Sequence, residues 1–514
     1  MSETSWMIDQ LVQQGVKHFC IAPGSRSTPL VLAAASLKQV KLHVHYDERG
    51  LGFFALGLSQ ALREPAAIIC TSGTALGNLL PAVMEAHHSC TPLILLTADR
   101  PAELRDCGAN QATDQVKIFH PFVRWQVDLP SCMEESYLRS VMAQGYFYSR
   151  QNPPGPVHIN CSFREPLYKK MDPVAGIPLE IDFPKQVSEP YKCTYSKGLI
   201  LIGKLPNPDD IHPILKLGER LNWPVCADIL SNARSFPTPQ QIRYFDWVQK
   251  PNPDFVLHFG ERLTSKKILS FLKTASPKYI HVSPFPFLQD PERILTGRVQ
   301  SDIPEFCKQF EAPSNDQWIT LWEDIEPQFE EGGVFTEVHA MRQLSNLLPE
   351  NFGVFLGNGM PVRDGDHFLF PKNCKGFFAN RGLSGIDGNI ATIAGLAEKM
   401  PILGVIGDQA ALYDLNSLAL LKKTKYPVVL LISNNFGGGI FHHLPVSDSP
   451  NFEKLWAAHH NFHFQQGAEM FGLPYFIFAY IEQVFKMRKS VIVELITCRK
   501  VNHQYQQKIT VVTK

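Results

Sequence analysis

The chain has 514 residues, of which 44% are hydrophobic and 19% charged, with 49 basic residues balanced by 49 acidic ones. That length exceeds one ordinary core and suggests about three domains at roughly 150 residues each. The charge balance excludes a global attraction to nucleic acid or to an acidic membrane surface, so any affinity for anions has to be built locally.

The opening MSETSWMIDQ carries acids early and lacks the apolar core of a signal peptide, and no stretch approaches 18 uncharged apolar residues. The expectation is a cytoplasmic protein without membrane insertion. Eleven cysteines, an odd number with no C-x-x-C pair, fit reduced thiols better than a disulfide framework or a zinc site.

Short Val-, Ile- and Leu-rich runs recur along the chain, each closed by Gly, Ser, Asp or Asn and followed by a helical pattern. That alternation predicts an α/β fold of three doubly wound domains with parallel sheets. In the first, residues 1–170, strands are predicted in KHFCIAPG, KLHVHYDE, AAIICTSG, PLILLTAD and GPVHINCS. A Pro-rich polar stretch from Glu165 to Lys197 reads as a linker. The second domain, 190–325, carries KGLILIGK, WPVCADIL, DFVLHFGE and KYIHVSP. After an acidic, weakly patterned stretch from Asp316 to Gly333, the third domain, 335–514, carries GVFLGNG, GFFANRG, ILGVIGD, VVLLISNN and SVIVELI. Ligands of open α/β sheets sit beyond the carboxyl ends of the strands, so the candidate residues are those just after each run.

GLGFFA, with Gly50, Gly52 and Ala55, matches a G-x-G-x-x-A fingerprint between a strand and a helix. A dinucleotide site also needs an acid at the end of the next strand, and that strand ends Cys70-Thr71-Ser72. A nicotinamide or flavin site is rejected here. In the third domain, Asp408 closes one strand and Asn435 closes the adjacent run, while Leu412, Leu415, Leu418 and Leu421 are expected on one side of a single helix between them. Parallel pairing would bring the two loops together. An Asp carboxylate, an Asn side-chain oxygen and the Gly437 carbonyl are three hard oxygen ligands suited to magnesium bridging a diphosphate. The Gly437-Gly438-Gly439 run lets phosphate approach the backbone. Taken singly, each acid or amide has a plain alternative as a helix cap or turn former.

This spacing resembles the diphosphate and magnesium motif of thiamine diphosphate enzymes, with Gln409 where that superfamily usually has glycine. Such enzymes also need a glutamate facing the cofactor's aminopyrimidine ring, and HVHYDERG supplies Glu48 at a strand end. The apolar LGFFALGL behind it would raise its carboxyl pKa and keep it available as a proton donor. APGSRSTPL, HYDERGLGFFALG, TSGTALGNLLPAV, LTADRPAELRDCGANQATDQ, GNGMPVRD, NRGLSGIDG and NNFGGGIF together resemble the 2-succinyl-5-enolpyruvyl-6-hydroxy-3-cyclohexene-1-carboxylate synthases of menaquinone biosynthesis. The likeness is dense in the first and third domains and thin in the central one, through LTSKK.

The resemblance implies pyrimidine-binding, central and diphosphate-binding domains, with thiamine diphosphate and magnesium or manganese as cofactors and 2-oxoglutarate and isochorismate as substrates. Glu48 would be catalytic. Thr71, Ile386, Gly407, Asp408, Asn435, Gly437, Ile440, Phe441 and Leu444 would hold the cofactor, with Asp408, Asn435 and Gly437 on the metal. The active site would lie between subunits of a homodimer or homotetramer. Two dicarboxylate substrates require several cations. Ser25 and Arg26 before a helix N-terminus, Arg100 at a strand end, and the amides of Asn110 and Gln111 suit that need. By similarity Lys266, Lys267, Arg363 and Arg381 complete the basic lining. Gly359 stands where the family often has serine, and Lys267 where arginine also occurs. Two alternatives remain open: a carboligase or decarboxylase of the acetolactate synthase kind, acting on small singly charged 2-oxo acids, or a non-catalytic homologue.

Overall fold

The structure is a computed structural model that describes residues 3–168, 189–248, 250–330 and 332–509. Three parallel sheets follow one another along the chain. The first contains β1 (His18–Ile21), β2 (Lys41–Val44), β3 (Ala66–Cys70), β4 (Leu93–Asp99), β5 (Trp125–Leu129) and β6 (Pro156–Ser162), in the order β2-β1-β3-β4-β6-β5. The second contains β7 (Gly198–Ile202), β8 (Val225–Ala227), β9 (Phe255–Phe259), β10 (Lys278–Ser283) and β11 (Gly297–Gln300), in the order β11-β10-β9-β7-β8. The third contains β12 (Gly353–Leu356), β13 (Phe377–Phe378), β14 (Ile402–Gly407), β15 (Val428–Asn434), β16 (Tyr475–Ile477) and β17 (Val491–Ile496), in the order β13-β12-β14-β15-β17-β16.

All fourteen expected strands are present, and the sequence reading missed β5, β11 and β16. Each of the three ends its sheet. An edge strand covered on fewer sides needs no continuous apolar run, and β11, reading GRVQ, alternates half-buried and exposed. The inner strands β3, β4, β9 and β15 are buried throughout, which is why their runs were legible.

The first and third sheets share one core. Helix Glu48–Leu62 crosses helix Asn389–Leu396 with the two backbones nearly touching. A Cβ on Gly57 would lie 2.1 Å from the Thr392 carbonyl oxygen, and one on Gly395 2.1 Å from that of Phe54. These two glycines permit the approach, and the crossing sets the start of each helix, where Glu48 and the Ile386 loop sit, relative to the other.

Two local expectations are corrected. The glycines of GLGFFA lie inside helix Glu48–Leu62, not in a turn before it, and serve packing: a Cβ on Gly52 would meet that of Ala82 at 2.8 Å. The leucines after Asp408 do not share one helix, because the segment breaks into Asp408–Tyr413, a 3-10 turn at Leu415–Ser417 and Leu418–Leu421. Asp414 causes the break: its buried carboxylate accepts the Ala391 N–H at 3.0 Å and the Ser417 hydroxyl at 2.7 Å. Most of the expected linker, 169–188, lies outside the described residues. Among the described residues no helix is long and apolar enough to cross a membrane.

Candidate active site

Strands β14 and β15 pair in parallel with Gly407 opposite Ser433, so Asp408 and Asn435 emerge side by side. Asp408 is 2% exposed. Its Oδ1 accepts the Gln409 N–H at 2.6 Å, while Oδ2 accepts those of Gly437 at 2.9 Å and Asn435 at 3.2 Å. Burial pushes its carboxyl above the usual range, while the Gly437 N–H and nearby His460, with Nε2 at 3.4 Å, pull it down.

The two asparagines have different tasks. Asn434 builds the turn: its Nδ2 donates to Glu494 at 2.6 Å and to the Phe462 carbonyl at 2.9 Å, and its Oδ1 accepts the Phe436 N–H at 3.2 Å. Asn435 donates Nδ2 to Glu337 at 2.9 Å, and its buried Oδ1 finds no partner among the described residues. Phe436 and Gly437 both have positive φ, 62° and 148°, and a Cβ on Gly437 would meet the Ala457 carbonyl at 2.5 Å. Gln409 donates to that same carbonyl at 2.9 Å, so its side chain braces the loop. Arg499 donates Nη1 to the carbonyls of Asn435 and Phe436 at 3.2 and 2.8 Å.

An unpaired buried amide oxygen beside a buried carboxylate is costly unless something accepts it, and a hard cation does so. The site therefore fits a divalent metal held by Asp408 and Asn435. A Cβ on Gly407 would touch nothing within 4 Å, which leaves open space for a diphosphate beside them.

The predicted basic residues of the third domain gather around Asn358 and Gly359, just after β12. Arg381 Nη1 donates to Asn358 Oδ1 at 2.9 Å, and Asn358 Nδ2 holds the carbonyls of Asn380 and Gly385 at 2.7 Å each. Arg363 donates to the Gly359 carbonyl. Burial first, and then the charges of Arg381 and Arg262, pull the Arg363 guanidinium below the usual arginine range. Burial and Arg262 do the same to Arg381, against Asp228. Gly359 has φ +98° with no atom closer than 3.9 Å to an added Cβ, so a serine there would be opposed by backbone strain rather than by lack of room. Ile386 and Leu444 are 39% and 45% exposed, while Ile440 and Phe441 are half-buried in the turn Gly439–His443.

The first sheet gathers a second group. Arg26 is buried, donating Nη1 to the Phe163 carbonyl at 2.9 Å, with a buried Nε that has no partner among the described residues. Arg100 donates to the Ser72 hydroxyl at 3.1 Å and the Asn110 carbonyl at 2.8 Å, and Gln111 Nε2 donates to the Ser72 carbonyl at 2.9 Å. Thr71 is buried against Gly24, and Ser25 is exposed just before helix Thr28–Ala35. Glu48 is half-buried at the first position of its helix. Bonds between its neighbours and the third domain involve Tyr413, the last residue of helix Asp408–Tyr413, and Asn416 just past it. Lys266 and Lys267 begin helix Lys266–Ala275, both exposed, with Lys267 Nζ 5.0 Å from the Trp247 ring centre.

The chain itself is similar to known proteins. The family profile "Thiamine pyrophosphate enzyme, N-terminal TPP binding domain" matches residues 1–118, and "Middle domain of thiamine pyrophosphate" matches 184–356. The 2-succinyl-5-enolpyruvyl-6-hydroxy-3-cyclohexene-1-carboxylate synthase of Salinibacter ruber is 34% identical over 98% of this chain and 95% of that protein. Those of Rubrobacter xylanophilus and Photobacterium profundum are each 37% identical, over 91% and 92% of this chain and 89% and 88% of theirs. The chain belongs to the 2-succinyl-5-enolpyruvyl-6-hydroxy-3-cyclohexene-1-carboxylate synthase family. It is a thiamine diphosphate-dependent enzyme of the carboligase type.

For this synthase, several residues around the site escaped the sequence reading: Glu85, Arg262, Glu337, Asn358, His460 and Arg499. Asn358 lies just after β12, but its hold on Arg381 has no local signal, and Glu85, Glu337, His460 and Arg499 reach their places through contacts distant in sequence. Glu85 is the clearest case. Its carboxylate, on helix Thr74–His88, accepts the N–H groups of Gly382 and Leu383 at 2.8 and 2.7 Å, pinning the loop that carries Arg381 and Ile386.

Burial pushes the Glu85 carboxyl up to about 7, against those two N–H groups and Lys204. The unfolded group titrates near 4.5, so the folded protein holds the proton more tightly. The resulting stabilisation is complete below 4.5, is lost as pH rises through about 7, and amounts to about 3 kcal/mol. The thermal midpoint of the wild type should therefore fall across that window relative to Glu85→Gln, whose amide does not titrate. Parallel curves would contradict the assignment.

Proposed function

We propose that the enzyme decarboxylates 2-oxoglutarate and adds the succinyl unit to isochorismate, giving 2-succinyl-5-enolpyruvyl-6-hydroxy-3-cyclohexene-1-carboxylate for menaquinone biosynthesis. The observation that carries this reading is the unpartnered Asn435 Oδ1 beside buried Asp408, at adjoining strand ends of a chain in this family. Thiamine diphosphate, when bound, supplies the carbanion chemistry that splits a 2-oxo acid and transfers its acyl fragment.

The protein's own residues do the rest. Asp408, Asn435 and the Gly437 carbonyl hold magnesium, or manganese in its place, and Gly407 with the triple glycine leaves room for the diphosphate. Thr71, Ile386, Ile440, Phe441 and Leu444 pack the organic rings and exclude water. Glu48 exchanges a proton with the aminopyrimidine. Ser25, Arg26, Arg100, Asn110, Gln111, Lys266, Lys267, Arg363 and Arg381 receive the substrate carboxylates, and Arg262 joins the last two. Residues 1–170, 190–325 and 335–514 form pyrimidine-binding, central and diphosphate-binding domains. Two subunits complete each site, in a homodimer or a pair of such dimers in the cytoplasm. The exposed Tyr46, Leu383, Ile386 and Leu444 support that assembly, since they flank the proposed site uncovered in one chain.

Incubation with isochorismate, 2-oxoglutarate, thiamine diphosphate and magnesium tests the reading, with the product identified by mass. Faster carbon dioxide release from pyruvate than from 2-oxoglutarate would assign the enzyme to the acetolactate synthase kind instead. Arg26→Ala should raise KM for a carboxylate substrate, with a loss in kcat/KM of about 10- to 100-fold, in line with one charge-assisted hydrogen bond of about 1.5–3 kcal/mol. Cofactor affinity should stay unchanged, and a loss there would remove Arg26 from the substrate set.

A further inference from the structure

Glu337 begins helix Glu337–Leu347, 98 positions before Asn435, yet its carboxylate is buried beneath that residue. Oε1 accepts Asn435 Nδ2 at 2.9 Å and the Thr497 hydroxyl at 3.0 Å. Asn502 completes the group, with Oδ1 accepting the Glu337 backbone N–H at 3.1 Å and Nδ2 donating to Thr497 Oγ1 at 3.1 Å.

The polarity of this chain of bonds is determined from one end. A backbone N–H can only donate, so Asn502 presents its oxygen to Glu337 and its amino group to Thr497. Thr497 Oγ1 accepts that bond, and its single proton goes to Glu337 Oε1. As a carboxylate, which only accepts, Oε1 takes its second bond from Asn435 Nδ2, so the NH2 end of the Asn435 amide faces inward and Oδ1 faces outward. Nothing else described settles which end of this amide points out, and the outward oxygen is the atom left without a partner.

We propose that Glu337, with Thr497 and Asn502, is a positioning group that selects the metal-facing end of Asn435, an inference that rests on reading Asp408 and Asn435 as the cation site. An amide turned the other way would aim two donors at a cation. Groups of this kind, which orient a ligand without touching the metal, typically carry a 10- to 100-fold share of metal affinity.

The test is the affinity of the full-length protein for Mn2+ with thiamine diphosphate, measured by electron paramagnetic resonance of free Mn2+, beside the thermal midpoint of the cofactor-free protein. Glu337→Leu, similar in bulk but without an acceptor, should bind about 10- to 100-fold more weakly. Glu337→Gln can keep a carbonyl oxygen in the same place and should stay within about threefold of wild type, under 1 kcal/mol. Wild-type affinity in Glu337→Leu would overturn the proposal while leaving the metal site intact. Should Glu337→Leu not fold, Thr497→Val carries the test, with unchanged affinity overturning the proposal and a loss of about 3- to 10-fold, under 1.4 kcal/mol, supporting it. Absence of Mn2+-dependent binding in the wild type would overturn both this inference and the reading of the site beneath it.

Discussion

Glu48→Gln should lower turnover by about 10²- to 10⁴-fold, the share of a positioned general acid or base, while leaving the affinity for magnesium and thiamine diphosphate close to wild type. The structure holds the residue's backbone on both sides. Asp47 caps the helix by accepting the Arg49 N–H at 3.0 Å, and also accepts Asn416 Nδ2 at 2.6 Å. Arg49 donates to the Tyr413 carbonyl at 3.0 Å, with its guanidinium 4.9 Å from the Tyr413 ring centre. The Glu48 side chain itself makes no hydrogen bond to a described residue, so glutamine in its place breaks no internal hydrogen bond. Steady-state kinetics beside cofactor titration separate the two effects. Near-wild-type turnover would remove Glu48 from the mechanism, and lost cofactor affinity would make it a binding residue.

Asp408→Ala should weaken magnesium-dependent binding of thiamine diphosphate by at least about 100-fold, since a direct ligand is worth no less than the partners that orient it. It should also destabilise the cofactor-free protein. Asp408 accepts three backbone N–H groups, from Gln409, Asn435 and Gly437, and each buried donor left unpaired costs about 1–3 kcal/mol. Asp408→Asn helps separate the two losses: the charge is gone, yet its one amide oxygen can keep the Asn435 and Gly437 N–H bonds and only the Gln409 N–H is left facing an NH2, so it should cost less apo stability than alanine. Calorimetric titration with magnesium and thiamine diphosphate, together with thermal unfolding of the apo variants, reads both. An Asp408→Ala protein that binds magnesium and cofactor as the wild type does would refute the metal site.

The legible part of this enzyme is the part governed by local rules. Continuous apolar runs such as LILLTAD and VVLLISN announced buried inner strands, and the residues closing them announced the loops where a ligand sits. The edge strands β5, β11 and β16 escaped because their partial exposure allows polar residues. The unbroken leucine helix after Asp408 was wrong because the buried Asp414 carboxylate binds the Ala391 backbone and the Ser417 hydroxyl, a tertiary demand that overrides a periodic pattern.

By itself the sequence determined three parallel α/β sheets, the pairing of Asp408 with Asn435, and the family to which the chain belongs. It could do so because strand periodicity, strand-end chemistry and motif spacing are properties of neighbouring residues. Only the tertiary structure decided which atom of Asn435 faces outward, which buried carboxylate pins the Arg381 loop, and how closely helices Glu48–Leu62 and Asn389–Leu396 approach. Those outcomes depend on Glu337, Glu85 and the glycine pair Gly57 and Gly395, whose partners lie 98 to more than 300 positions away. The physical reason is that a buried polar group must find its hydrogen bond wherever the fold brings a partner, and no local pattern records that choice.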